Sequence, residues 1–207
     1  MKTNIEPLQA DSYYHIYNRG INGENIFKEE RNYAYFLQKY TQFVSPIAET
    51  YAYCLMKNHF HLLVKIRSEE EIKFSEDGSV KNTDKPIHWL LSNAFASFFK
   101  SYSQTINKAY KRTGRLFEEP FRRVWVDNDE YLTELIYYIH HNPEKHCFTN
   151  DFKEYPHSSY QSHLRTTTTR LKREDVLKWF GGREDFEKFH VERKILNNLG
   201  KFEIEFD

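Results

Sequence analysis

The elements legible in this 207-residue chain predict an α+β fold, a ferredoxin-like sandwich with an antiparallel sheet and an appended C-terminal helical tail. Three observations carry that reading. Strand-like and helix-like segments follow in the order strand, helix, two strands, helix, strand, helix. Their interleaving is too irregular for a doubly wound parallel sheet. The character of the chain changes after about residue 150.

Residues 13–18 are aromatic and β-branched and run into Arg19-Gly20, the pattern of a strand ending in a turn. Tyr33, Phe36, Leu37, Tyr40 and Val44 recur at helical spacing across 29–44. Residues 51–56 and 60–66 read as two further strands. The polar stretch 69–86, with Asp77-Gly78 and Asp84, reads as an inserted loop. Trp89, Leu90, Phe95, Phe98, Tyr102 and Ile106 mark an amphipathic helix over 86–110, and 121–126 reads as a fourth strand. A helix over 129–141 is expected to stop at Pro143. Beyond it come a turn around Pro156, Ser158 and Ser159, a threonine tract at 166–169, and helices near 176–180 and 186–196. The expected division is therefore a main domain over 1–150 and a helical extension over 151–207.

Composition narrows the class. Hydrophobic content of 39% and aromatic content of 17% exclude a mainly disordered chain, despite a mean hydropathy of −0.80. Lys+Arg 30 balance Asp+Glu 30, which argues against a uniformly basic nucleic-acid binder. Two separated cysteines, Cys54 and Cys147, give neither a disulfide scaffold nor a cysteine zinc site. The first twelve residues are polar, and no run approaches the ~18 apolar residues of a membrane span. The expectation is a soluble, cytoplasmic protein.

Asn58-His59-Phe60-His61-Leu62-Leu63-Val64-Lys65-Ile66 is the most informative stretch. Strand side chains alternate between faces, so Phe60, Leu62, Val64 and Ile66 form a core face, while His59, His61, Leu63 and Lys65 form a polar one. Two imidazoles projecting together can chelate one divalent ion, given a third ligand. They equally suit surface histidines on a half-exposed strand.

On a helical wheel over 129–142, Tyr131, Leu132, Leu135, Ile136 and Ile139 define the buried stripe. Tyr137 falls opposite, toward solvent. Tyr138 falls at the stripe's edge with Asn142 one turn on, Glu134 one turn before and His141 nearby, while His140 lies at the other edge. A tyrosine, with an ordinary pKa of about 10, acts as a nucleophile only when deprotonated or offered an activated electrophile. The same positions also fit a packing tyrosine and an asparagine that caps the helix.

The neutral total hides a charge separation. Over 100–123 seven basic residues (Lys100, Lys108, Lys111, Arg112, Arg115, Arg122 and Arg123) face two acids, a net of +5, whereas 69–78 nets −4. Tyr102, Tyr110, Phe117 and Phe121 interleave with the basic residues, as in a single-strand groove with stacking platforms. A solvated helix face has the same composition.

Together these blocks resemble the single-tyrosine transposases of the HUH endonuclease superfamily, and most of all the REP-associated tyrosine transposases. The resemblance rests on Tyr17-Asn18-Arg19-Gly20 with Ile26-Phe27, on 52–64 with Asn58-His59-Phe60-His61, and on Thr113-Gly114-Arg115-Leu116-Phe117 with Phe121-Arg122. Tyr138-Ile139-His140-His141-Asn142-Pro143 and Ser158-Ser159-Tyr160 complete it, in the family's order over roughly 13–160. It implies a site in which His59 and His61 bind magnesium or manganese, with Asn142 as third ligand. Tyr138 would attack a phosphodiester of single-stranded DNA to leave a 5′-phosphotyrosine and a free 3′-hydroxyl. It further implies a hairpin DNA partner, strand transfer without ATP, and a single-chain or homodimeric site. Arg19, Lys57, Lys111, Arg112, Arg115, Arg122 and Arg123 are the expected DNA contacts.

The chain departs from the family's pattern at Lys57, where a proline is common, at Glu119-Pro120, often more basic, and at Glu144, usually small and apolar. These departures bear on DNA affinity and target choice. They also motivate an alternative, a domesticated nucleic-acid-binding protein that keeps the fold without cleaving. A hydrolase of small phosphate esters fits less well, since such a substrate needs no extended basic groove.

Overall fold

A computed structural model describes residues 6–72 and 85–198. Strands β1 (Tyr13–Arg19), β2 (Ala48–Met56), β3 (His59–Ile66) and β4 (Arg122–Val126) form one antiparallel sheet in the order β2-β3-β1-β4. Helix α1 (Glu30–Phe43) joins β1 to β2, and α2 (Ile87–Ala109) joins β3 to β4. The chain thus runs βαββαβ, the ferredoxin-like α+β arrangement that the sequence predicts. Most of the acidic insertion, residues 73–84, lies outside the described residues.

One sheet face carries the first core. Tyr14 and Ile16 of β1 and Phe60, Leu62 and Val64 of β3 meet Phe36 of α1 and Phe95, Phe98 and Tyr102 of α2, all buried. Helix α1 starts on a capping box, in which the Asn32 side chain accepts from the Glu29 backbone N–H at 3.0 Å.

The second face differs from its sequence reading. Leu63 and His61 are buried rather than solvated, because α3 (Asp129–Lys145) and the C-terminal segment lie over them. Helices α4 (Tyr160–Leu164), α5 (Arg173–Phe180) and α6 (Arg183–Asn198) supply Tyr160, Val176 and Phe186 to a core shared with Ala52, Leu63, Leu135 and Ile139. The tail therefore completes the second layer of the sandwich. Gly181, at φ 89°, closes α5, with Gly182 N–H donating to the Leu177 carbonyl at 2.8 Å, a Schellman turn that sends α6 back over α3.

Two expectations for α3 are corrected by this packing. The helix continues through Pro143 to Lys145 instead of stopping before it. Tyr137, expected to face solvent, is 4% exposed because His190 of α6 and His141 pack on its ring. A wheel drawn on one helix cannot register a second helix that arrives 50 residues later.

The motif blocks at 17–27 and 57–59 have a mechanical role in this frame. The Ile26 and Phe27 amides donate to the Lys57 carbonyl at 2.8 and 2.9 Å, and the Gly20 amide donates to the Asn58 carbonyl at 2.8 Å. The two-residue turn that launches β3 is thereby held from behind, one residue before His59. A Cβ on Gly20 would collide with the Glu24 backbone carbonyl. Gly20→Ala is expected to destabilise the protein by about 2 kcal/mol, read as a fall in the urea midpoint; an unchanged midpoint would contradict the role of this clamp.

Candidate active site

His59 and His61 project from β3 into the space between sheet and α3. Their ring centroids are 5.4 Å apart. His61 is 1% exposed, and burial holds its pKa well below the usual imidazole value, with His15, His59, His146 and Lys145 adding in the same direction. It is therefore neutral at pH 7, the form that offers a lone pair. Its Nε2 is buried and has no hydrogen-bond partner, while its Nδ1 lies 3.0 Å from His15 Nε2. His59 is half-buried, with Nδ1 2.7 Å from Asn58 Oδ1. An amide oxygen only accepts, so Nδ1 carries the proton and the lone pair of a neutral His59 sits on Nε2.

Tyr138 comes to this pair from α3. Its ring meets His61 edge-on at 5.6 Å and 90°, and His15 at 6.1 Å and 82°. The tyrosine is 6% exposed, and the Lys145 ammonium lies 5.5 Å from its ring centroid. One turn on, Asn142 is buried; its Nδ2 donates to the Tyr138 carbonyl at 3.1 Å, and its Oδ1 has no hydrogen-bond partner. Among the described residues no three His, Cys, Asp or Glu side chains form a group able to hold a metal ion. The Asn142 Oδ1, without a hydrogen bond, is the oxygen the sequence offers as a third ligand beside the two histidines.

An open cleft of about 470 Å³ adjoins the pair, lined among others by Tyr17, Arg19, His59, His61, Arg122 and His146. Arg19 sits on its wall, 66% exposed at the side chain, with Nε donating to Glu118 at 2.7 Å. Asn18 Nδ2 donates to the Glu118 carbonyl at 3.1 Å, and the Glu118 amide donates to the Arg19 carbonyl at 2.9 Å. The loop between α2 and β4 is thereby stitched to the end of β1.

The basic residues counted along 100–123 separate in space. Arg122 points into the cleft. Arg123, its neighbour on the strand, points to the opposite face, where its guanidinium donates to Ser92 Oγ at 2.8 Å and lies over the Phe121 ring. Arg115 and Arg123 line a separate groove of about 780 Å³ beside α2. Arg112 is 14% exposed at the side chain and bound to Glu24 and Asn107. Lys57 lines a third hollow, with Tyr33 and Phe148, and Lys111 is exposed just after α2. Of the seven expected DNA contacts, the structure brings Arg19 and Arg122 to the histidine pair. Arg112→Ala is accordingly expected to lower stability by about 1–2 kcal/mol, whereas Arg122→Ala leaves stability unchanged. Thermal melts of the two variants check the contrast.

The residues that sequence reasoning missed are His15, Tyr17 and His146. His15 and Tyr17 share a strand face by alternation, but only the β1–β3 register, with Tyr17 opposite His61, brings them to the site. The His146 ring lies 4.8 Å from that of His59. It follows Tyr138 and Asn142 at four-residue steps, a signal masked by ending the helix at Pro143.

Fold and site define a class of arrangement, a ferredoxin-like sheet with a histidine pair on an inner strand and a tyrosine on the helix packed against it. A solved structure of a REP-associated tyrosine transposase bound to a REP hairpin is similar, with a TM-score of 0.57, 12% sequence identity, and coverage of 85% of this chain and 93% of that one. The two share a fold, as the motif resemblance implies. No protein-family model and no curated protein matches the sequence. No helix among the described residues is long and apolar enough to cross a membrane.

Proposed function

We propose that the protein is a metal-dependent single-stranded DNA endonuclease and transposase that cuts and rejoins strands at hairpin-flanked sites through Tyr138. The observation that carries this reading is the convergence of His61 and Tyr138, ring to ring, beside a cleft walled by Arg19 and Arg122.

Each chain group has a role in that chemistry. Arg19 and Arg122 bind phosphates on either side of the scissile bond, fixing register without reading sequence. Arg115, Arg123, Lys111 and Lys57 hold strand beyond the cleft. The Tyr138 side chain turns from its packed rotamer toward the cleft, and its phenolic oxygen forms a bond to phosphorus as the bond to the 3′ oxygen breaks. The proton lost by the phenol balances the one gained by the leaving 3′-hydroxyl. Phosphodiester energy is kept in the phosphotyrosine, so a 3′-hydroxyl can reverse the step without ATP. His59, His61 and Asn142 would hold a magnesium or manganese ion, which would withdraw charge from the phosphate when bound.

The test is incubation with labelled hairpin DNA carrying single-stranded flanks, with Mn²⁺ or with EDTA. An SDS-resistant adduct that forms only with Mn²⁺ is expected. Tight hairpin binding that survives EDTA, with no cleavage across a varied hairpin library, would instead favour the binding-protein alternative. Arg122→Ala is expected to weaken binding of uncleaved DNA and to lower the salt slope by about 0.7, one single-strand phosphate contact; an unchanged slope would remove Arg122 from the DNA path.

A further inference from the structure

We infer that the hollow beside Lys57 is a pocket for one unpaired nucleobase of the bound strand, close to the scissile phosphate, with Phe148 as its stacking wall and Lys57 as its phosphate contact. Binding there rests on the single-stranded DNA substrate proposed above, and not on cleavage.

The hollow and the cleft are neighbours. Lys57 and Phe148 line the hollow, whereas Asn58 and His59 line the cleft. The Phe148 ring lies 6.2 Å from that of His59, so the two spaces adjoin at this ring. Two residues of backbone span at most ~7 Å, so a phosphate on Lys57 is close along the strand to one held at the histidines. At about 390 Å³ the hollow falls within the roughly 300–1,000 Å³ of small-ligand pockets, which suits a single base and not a duplex.

Its lining suits the face of a base. Phe27, Tyr33 and His157 all line it and form one stack of near-parallel rings, with centroids 4.3 Å apart at 11° and 3.5 Å apart at 3°. Phe148 is half-buried, and the backbone sets its position. Cys147 before it takes the left-handed conformation, at φ 58°, and the Phe148 amide donates to the Pro143 carbonyl at 2.8 Å. A glycine would adopt that turn without the cost a cysteine bears. The turn holds an aromatic ring between hollow and cleft.

The charges suit a phosphate. Glu29 is paired with Arg31 at 2.8 Å, and Glu30 lies 3.2 Å from His157 Nε2. Lys28 and Lys57, both exposed, have no ion pair among the described residues. Stacking accepts the π-face of any base, so the pocket selects an unpaired nucleotide rather than a particular one.

The test is binding of uncleaved hairpin DNA with single-stranded flanks, kept in EDTA and followed by fluorescence anisotropy. One flank base at a time is replaced by an abasic sugar. A single position is expected to weaken binding by about 10–100-fold, while exchange among the four bases there changes little. Phe148→Leu keeps apolar bulk but has no π-face; it is expected to weaken binding of the intact probe and to shrink the abasic penalty at that position. Lys57→Ala, an exposed change that spares the fold, is expected to lower the salt slope by about 0.7. A flat abasic scan overturns the inference, as does an undiminished penalty in Phe148→Leu or a wild-type salt slope in Lys57→Ala. Adduct formation with a flat scan leaves the proposed function standing without this pocket. A position-dependent loss with no adduct leaves the pocket standing without the chemistry. Wild-type protein that binds no such DNA overturns both.

Discussion

Tyr138→Phe is expected to bind hairpin DNA as well as the wild type and to form no covalent adduct, a loss of at least about 10³-fold in cleavage, or about 4 kcal/mol of transition-state stabilisation. The substitution removes one oxygen and keeps the ring, so the edge-on packing against His61 and His15 and the Lys145 contact persist. A loss of cleavage in a protein that melts normally is therefore a loss of chemistry. Tyr137→Phe is the matched control. That ring is held between His141 and His190 on the far side of the helix, away from the β3 histidines. Adduct formation should be unaffected there. An adduct formed by Tyr138→Phe and lost in Tyr137→Phe would reassign the nucleophile and would require α3 to rotate away from α6.

The parts of the site visible in the sequence are those encoded within one element. His59 and His61 are two apart on a strand, and Tyr138 and Asn142 are one turn apart on a helix, so local geometry fixes each pair. What escaped was set by contacts between elements. His15 and Tyr17 join the site only through pairing with a strand 46 residues away. The β3 face holding His61 looks polar in isolation and becomes a second core once α3 and the C-terminal helices cover it. Charge counting failed for a related reason. Alternation along β4 sends Arg122 and Arg123 to opposite faces, and Arg112 is neutralised by Glu24 from the other end of the domain. The Ser158-Ser159-Tyr160 block also turned out to be architectural: Ser159 Oγ lies 2.7 Å from His140 Nε2 and accepts from the Tyr53 amide at 2.9 Å.

That last contact belongs to a buried histidine chain with a large expected effect on stability. His190 Nδ1–H donates to the Phe186 carbonyl at 2.8 Å, so the lone pair of neutral His190 is on Nε2, where it accepts from His140 Nδ1–H at 3.0 Å. His140 Nε2 in turn accepts from Ser159. In this arrangement both imidazoles are neutral, and a further proton would place a charge on a fully buried chain. Burial accordingly lowers the His190 pKa to about 3 and that of neighbouring His163 to about 4, and it holds His140 well below the usual value. Lys153 near His190 and Arg173 near His163 push the same way. The unfolded chain takes up these protons near pH 6.5 and the folded one does not, so the stabilisation is complete above pH 6.5 and is lost progressively below it. His163 and His190 together are expected to cost about 4 kcal/mol by pH 5, a large part of a domain's ~5–15 kcal/mol. Urea denaturation between pH 7.5 and 5 measures this directly, and His163→Leu should reduce the slope by about one proton, or about 1.4 kcal/mol per pH unit. A flat profile would mean that these histidines are not buried neutral. Because the His140–His190 bond ties α6 to the helix that carries Tyr138, acid is expected to release the support of the proposed nucleophile as it unfolds the second core. Adduct formation should then fall over the same pH range as stability, and salt bridges from α6 to Glu134 and Glu144 will not prevent it.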